Sequence, residues 1–332
     1  MSVRSSHFPK FLAFVLCCAF VVSAPRPTSA QIARLELYTL QTQTPTNQEF
    51  LTGRKDSKPA TISGELRIPR PGKDRLPAVV LLHSSAGITR QVDNWAREFN
   101  ALGVATFIVD SFTDRGIVNT IYDQDQLSRL VQIVDAYRAL ELLSKHPRID
   151  SGRVMVMGFS RGAAAAHYAA VKRFWTMHGP GGGLEFAGYI ALYPTCNTAF
   201  VGGLDVVDKP IRIYHGVADN YASIAQCRAY VDRLKAAGKN ISLTEYPEAG
   251  HVFDNPALKK PLKLPKAQTM RRCPPLEEAP DGQIINSQTK QPFTWASDPC
   301  VEHGTTVAYN PKAHAEVVKA IKEFVTITLQ PK

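Results

Sequence analysis

The sequence predicts an α/β protein, a mostly parallel central sheet with helices on both faces, and three observations point to it. Strand-like and helix-like segments alternate from about residue 60 onward, the order that repeated βα units need to build a parallel sheet. Several of the strand candidates are short unbroken apolar runs rich in branched side chains, which suits strands buried on both faces. Near the middle of the chain, "VMVMGFSRGAAAA" (154–166) passes directly from such a run into a row of alanines.

In chain order, "LELYTL" (35–40) and "TISGELRIPR" (61–70) read as extra edge strands, antiparallel to their neighbours. "LPAVVLLH" (76–83) and "GVATFIVD" (103–110) are buried strands, and "QVDNWAREFNALG" (91–103) between them has helical spacing and a glycine stop. A long helix is expected over about 123–143, followed by the strand "RVMVMG" (153–158) and the alanine-rich helix "AAAAHYAAVKRF" after Ser160. "FAGYIALYP", "PIRIYHG" and "ISLTEYPEAG" are further strands; the helix "SIAQCRAYVDRLKAAG" separates the last two, and a closing helix runs over about 311–329. The rhythm breaks over 254–306, which is rich in proline, has little periodicity and is too long for an ordinary connection.

The chain has 332 residues, and its 44% hydrophobic content is ample for a packed core. Its first thirty residues differ in kind. Arg4 and Lys10 precede the apolar run "FLAFVLCCAFVV", and small residues follow at Thr28 and Ala30. That is the pattern of a secretory signal peptide cleaved before Gln31, and the run is too short for a membrane span, which needs roughly twenty apolar residues. Export leaves 31–332 as one domain with an insertion at about 254–306 and no membrane span in the mature protein. Cys17 and Cys18 leave with the signal, and the remaining Cys196, Cys227, Cys273 and Cys300 are an even set in an oxidising compartment, so two disulfides are expected. The net charge of +10 includes three positives of the signal. The one dense basic stretch (259–272) is broken by prolines and has no interleaved aromatics, which argues against a nucleic-acid surface.

Gly-x-Ser-x-Gly around Ser160 is a weak pattern alone, but its place between a buried strand and a helix makes it a nucleophile elbow. There Gly158 and Gly162 leave room for the neighbouring backbone, and the helix N-terminus favours a developing oxyanion. A serine hydroxyl also needs a base and an acid, in the order serine, acid, histidine at successive strand ends. Asp219 follows "PIRIYHG" and His251 follows "ISLTEYPEAG". Asp219 would orient His251 through Nδ1 and leave Nε2 to deprotonate Ser160. The oxyanion donors are expected at the backbone N–H of Arg161 and of Ser85, with Ser84 as second choice, in the loop "LLHSSAG". His83 and His215 read as structural, Asp254 as shaping the loop after His251, and Asp110 as pocket wall.

Taken together, "VLLHSSAGI", "VDSF", "GFSRG", "YPTC", "AQCRAY", "EAGHVFDNP" and "YNPKAHAEVVKAIKEF" resemble the dienelactone hydrolase family of the α/β-hydrolase superfamily, in particular its exported members. The resemblance covers most of the mature chain and implies an α/β-hydrolase fold. The family's namesake carries a cysteine nucleophile and an oxyanion-loop glutamate, where this chain has Ser160 and Ser84. This implies a serine enzyme that cleaves carboxylic esters or lactones of small molecules, with no cofactor or metal. A peptidase of the same fold and a catalytically silent binding protein are the alternatives. The resemblance also implies the pairs Cys196–Cys227, which would tie down the Asp219 loop, and Cys273–Cys300 within the insertion. The insertion leaves the fold beside the expected site, so Phe293 and Trp295 are candidate substrate contacts, and Lys259, Lys260 and Lys263 are candidates to attract anionic substrates.

Overall fold

The computed structural model describes residues 1–3 and 32–331, and apart from its first three residues the expected signal peptide lies outside them. The chain opens with the strand β1 (Arg34–Thr44), the one-turn helix α1 (Asn47–Leu51) and the strand β2 (Lys58–Ile68). Then follow β3 (Leu76–Leu82), α2 (Arg90–Ala101), β4 (Ala105–Asp110), α3 (Val131–Ser144), β5 (Ile149–Phe159), α4 (Arg161–Tyr168) and α5 (Lys172–His178). The second half holds β6 (Tyr189–Leu192), the short β7 (Thr198–Ala199), β8 (Ile211–Gly216), α6 (Ile224–Ala236) and β9 (Ile241–Tyr246). Beyond them lie β10 (Leu262–Thr269), β11 (Leu276–Glu278), β12 (Ile284–Asn286), β13 (Glu302–Val307) and α7 (Pro311–Leu329).

Eight strands make the central sheet in the order β1-β2-β4-β3-β5-β6-β8-β9. The β1–β2 and β2–β4 pairs are antiparallel and the other five are parallel. The hairpin therefore sits at one edge, as its sequence suggested, with β1 outermost. Successive side chains of a strand point to opposite faces, and here both faces are covered. On one side Val80, Leu82, Val154 and Val156 pack with Ile133, Ala163 and Tyr230 of α3, α4 and α6. On the other, Val79, Leu81, Met155 and Met157 pack with Trp95 of α2 and Val317 and Ile321 of α7. That double burial explains the unbroken apolar runs. Among the described residues no helix is long and apolar enough to cross a membrane.

Three elements differ from their sequence expectation. The helix expected from about 123 begins only at Val131. Asp123 accepts the Asp125 N–H and caps a short 3₁₀ turn, and Leu127 is extended so that its carbonyl receives the Arg161 guanidinium. The alanine-rich helix is two helices, because the chain leaves helical geometry at Val171 (ψ 119°), which forms a bridge with Val206. The segment 254–306 carries four short strands joined by turns. β10 pairs with β13, and β11 pairs with β12 and, in parallel, with β7 of the main fold. β11 and β12 have three residues each, too brief for a period to show in the sequence, and a register shift between Leu264 and Gln268 interrupts β10.

The two disulfides pair Cys196 with Cys227 and Cys273 with Cys300. The first joins the segment after β6 to the first turn of α6, closing 31 residues around the Asp219 loop. The second anchors a small core of Met270, Leu276 and Trp295 inside the insertion, where apolar side chains are few. Chain-entropy arguments for a loop of this size put the first bridge at about 3–4 kcal/mol. The Cys196→Ser/Cys227→Ser double variant is expected to lose about that much unfolding free energy in denaturant titration.

The tightest point of the fold is the crossing of β5, α4 and β3. A Cβ on Gly158 would lie 2.0 Å from the Gly162 carbonyl oxygen, and one on Gly162 would lie 2.3 Å from that of Leu82. Both obstacles are backbone and cannot turn aside. Gly162→Ala is expected to destabilise the protein by about 3 kcal/mol or more, measured by thermal unfolding of whatever soluble protein is recovered. A Tm near that of the wild type would contradict the close approach.

Candidate active site

The carboxyl ends of four strands converge on one cleft. Ser160 follows β5 directly, at φ 51° and ψ −108°. A non-glycine residue with positive φ stores strain, and here the strain is imposed by the glycine crossing beneath it. It lifts the Ser160 side chain off the sheet and leaves Arg161 as the first residue of α4, whose N-terminal amides carry partial positive charge.

Asp219 leaves the end of β8 and His251 follows β9. His251 Nε2 lies 2.9 Å from Ser160 Oγ, and His251 Nδ1 lies 2.7 Å from Asp219 Oδ2. The other carboxylate oxygen of Asp219 accepts the N–H groups of Tyr221 at 2.7 Å and Ala222 at 2.9 Å. Burial works to raise the Asp219 pKa. The attraction and hydrogen bond of His251, the nearby His215 and the Ala222 amide together outweigh it and hold the group below the ordinary carboxylate value. The His251 ring packs between Tyr193 and Tyr221, each with its centroid 4.7 Å away. Val252, directly after it, is at φ 62°, a second strained residue at the site.

Asp254 fastens this turn from below. Its buried carboxylate accepts from Trp95 Nε1 at 2.6 Å, from Gln91 Nε2 at 2.5 Å and from the Tyr193 hydroxyl at 2.9 Å. Burial raises its pKa even against these three donors. The sequence placed Asp254 as a loop-shaping residue, and that is the position it holds.

The oxyanion-loop expectations divide. Ser85 lines the cleft together with Ser160, Arg161 and His251, and its side chain lies 3.2 Å from Gln124 Oε1. Ser84 does not line the cleft, because its Oγ turns back to accept the Ala86 N–H at 3.2 Å. Asp110 is not a wall of it either, because its Oδ1 accepts the N–H groups of Phe112 and Thr113, both at 3.0 Å, and caps the turn after β4. His83 is structural, with Nδ1 2.8 Å from the Ser84 carbonyl and Nε2 accepting the Ser111 N–H at 3.1 Å. So is His215, whose two nitrogens face the carbonyls of Gly216 and Pro194.

The insertion covers the cleft. Trp295, Thr269 and Met270 line it, whereas Phe293 lies one step further back. The expected lysines, Lys259, Lys260 and Lys263, are exposed and line no part of it. The positive charge at the cleft comes instead from Arg129 and Arg161, and among the described residues neither pairs with a carboxylate. Arg161 donates to the Leu127 carbonyl, and Arg129 donates to Thr195 Oγ1 at 2.8 Å with its guanidinium 4.4 Å from the centroid of Trp295. Burial lowers the pKa of both guanidinium groups, and for Arg161 the charge of Arg129 adds to it. Sequence reasoning missed Arg129, which sits in the stretch expected as a regular helix. It also missed Gln124, which bonds with Ser85 and receives Gln268 of the insertion through its own N–H at 2.8 Å.

This fold and this convergence at the strand ends define an α/β hydrolase. Residues 65–272 match the dienelactone hydrolase family, and the chain belongs to that family; it is a hydrolase acting on ester bonds. Among curated proteins it is 25% identical over 217 residues to a Methylorubrum extorquens protein provisionally named carboxymethylenebutenolidase, covering 58% of this chain and 72% of that one. Among solved structures it is similar in fold to a protein called m3DLH, with a TM-score of 0.58 at 16% identity, covering 89% of this chain and 98% of that one. It is likewise similar to a dienelactone hydrolase-like promiscuous phosphotriesterase from metagenomic libraries, with a TM-score of 0.55 at 15% identity, covering 89% and 98%.

The geometry around Asp254 yields a test. An amide at that position must turn its NH₂ toward Trp95 Nε1 or toward Gln91, leaving donors face to face in a buried pocket. Asp254→Asn is expected to cost about 1–3 kcal/mol, measured as a lowered Tm. Stability equal to the wild type would mean that the three donors do not need an acceptor there.

Proposed function

We propose that this hydrolase is a serine esterase, with Ser160 as nucleophile, His251 as general base and acid, and Asp219 as the group that orients and charges the pair. The observation that carries this reading is the continuous hydrogen-bond chain Ser160–His251–Asp219, at 2.9 and 2.7 Å, across three strand ends. In the first step Ser160 Oγ attacks the ester carbonyl carbon while its proton passes to His251 Nε2. The carbonyl oxygen becomes an oxyanion, held by the backbone N–H groups of Arg161 and Ser85. The imidazolium formed on His251 is stabilised by the Asp219 carboxylate. Collapse of the tetrahedral species breaks the bond to the alcohol oxygen, which takes the proton from His251 Nε2. Water, deprotonated by the same nitrogen, then attacks the acyl-enzyme and releases the acid with Ser160 restored.

Small carboxylic esters or lactones are the substrates this reading favours. The unpaired charge of Arg129 and Arg161 at the cleft adds a preference for esters with an anionic group close to the scissile bond. We place the protein outside the cytoplasm, the reading supported by the signal-like first thirty residues and by two disulfides in an even cysteine set.

Ser160→Ala and His251→Ala are each expected to reduce ester turnover by several orders of magnitude, and Asp219→Asn by roughly 10⁴-fold through the wrong imidazole tautomer. The losses should not add in combined variants, since the three groups act as one unit. A fluorophosphonate probe should label the wild type at Ser160 and leave Ser160→Ala unlabelled. Near-normal turnover in Ser160→Ala would overturn the proposal, whereas wild-type protein that neither turns over esters nor labels would favour a silent binding protein.

A further inference from the structure

The free space around Ser160 is about 10 Å³, room for about one water molecule and too little for an acyl group. Directly behind it lies a second cavity of about 350 Å³, within the range of roughly 300–1,000 Å³ typical of small-molecule sites. Gln124, Arg129, Thr195, Met270 and Trp295 line both spaces, so a single layer of side chains divides them. The larger chamber is lined by α4 and the insertion, with Thr44–Asn47, the loop before α3 and the segment after β6 completing its wall. Ala164, Ala165 and Tyr168 of α4 form its floor, and Leu276, Ile284 and Phe293 of the insertion form its roof. The alanines give the row after Ser160 a use beyond helix formation, because any longer side chain at 164 or 165 would project into the chamber.

We infer that this chamber receives the apolar part of the substrate, an aromatic ring or a medium-length alkyl chain on one side of the ester bond. The inference rests on the serine esterase reading and assigns its substrate class. On this inference the part of the dividing layer that gives way is the Trp295 ring, whose centroid lies 4.4 Å from the Arg129 guanidinium. This pairing is a cation–π contact whose loss is small beside the burial of an apolar chain, so an entering group displaces it and remakes apolar contact within the chamber. Esters with short groups on both sides of the bond leave the chamber empty and are the poorer substrates.

The test compares p-nitrophenyl esters from acetate to octanoate, and acetate esters from methyl to octyl, in the wild type, Ala164→Leu and Phe293→Ala. The chamber lies on the acyl side if the first series responds and on the alcohol side if the second does. In Ala164→Leu the long-to-short ratio of kcat/KM is expected to fall on the order of tenfold or more, and in Phe293→Ala the preference should move to longer chains. Should Ala164→Leu fail to fold, Ile284→Trp fills the chamber from the opposite wall. Calorimetric binding of octanoate and octanol supplies a readout that does not need turnover: the wild type should bind the partner of the responding series and the filled variant should not. Ratios and binding that stay at wild-type values in folded, ester-cleaving variants would overturn the inference. Binding that is lost on filling, in a protein that cleaves no ester, would instead uphold the chamber and overturn the serine esterase reading.

Discussion

The contact on which the site depends is a steric one, the crossing of three backbone segments at Gly158, Gly162 and Leu82. Helix α4 can lie this close to β3 and β5 only because no Cβ intervenes. The price of that closeness is the strained backbone of Ser160 at φ 51°. The same crossing aims the first amides of α4 at the cleft and brings the Ser160 hydroxyl to the height of His251. A similar approach recurs at Gly216, where a Cβ would meet the Ala249 carbonyl at 2.1 Å, and it sets the Asp219 turn beside the His251 turn. Rigid sheet packing is thus converted into the positions of three side chains on three loops, none of which could hold its geometry alone.

The insertion is docked to this frame rather than hung from it. It departs and returns beside His251, where the Ala308 N–H donates to the His251 carbonyl and the Asn310 N–H to that of Phe253. Thr269 donates to the Tyr221 carbonyl and Arg271 to that of Asn220, so the loop that carries Asp219 is held from above as well as by its disulfide. At the far side Arg173 of α5 pairs with Glu278, and β11 extends β7. The cover and the three residues below it therefore share a single set of supports, and the turn bearing His251 is fastened on both faces.

Much of this was legible in the sequence, and what was not has a common cause. Buried strands announce themselves by unbroken apolar runs, and the elbow by two glycines at a fixed offset, since each is a local demand on residue type. Ser160, Asp219 and His251 could be placed because strand ends can be counted. Arg129 and Gln124 could not, because they matter through partners about 40 to 170 residues away, and the segment holding them reads as helix until its Leu127 carbonyl is claimed by Arg161 and its Gln124 N–H by the insertion. The insertion itself hid its strands for the same reason: β11 and β12 have three residues each and owe their form to neighbours. Ser84 and Asp110 were misplaced because chain position locates a loop but does not say which way a side chain in it turns.

Both disulfides and the insertion lie toward the carboxyl ends of the central strands, while the amino ends are held by packing and by hydrogen bonds such as those of Arg148 to the Asp74 carbonyl and of Arg153 to that of Leu329. Native proteins open in pieces, and the pieces with fewest ties open first. In this molecule the opening order runs away from the chemistry: fluctuations that fray the amino-terminal ends of the strands can come and go with the covalently tied end intact. Working lifetime is then set by the slow release of the stapled end and not by the average firmness of the fold.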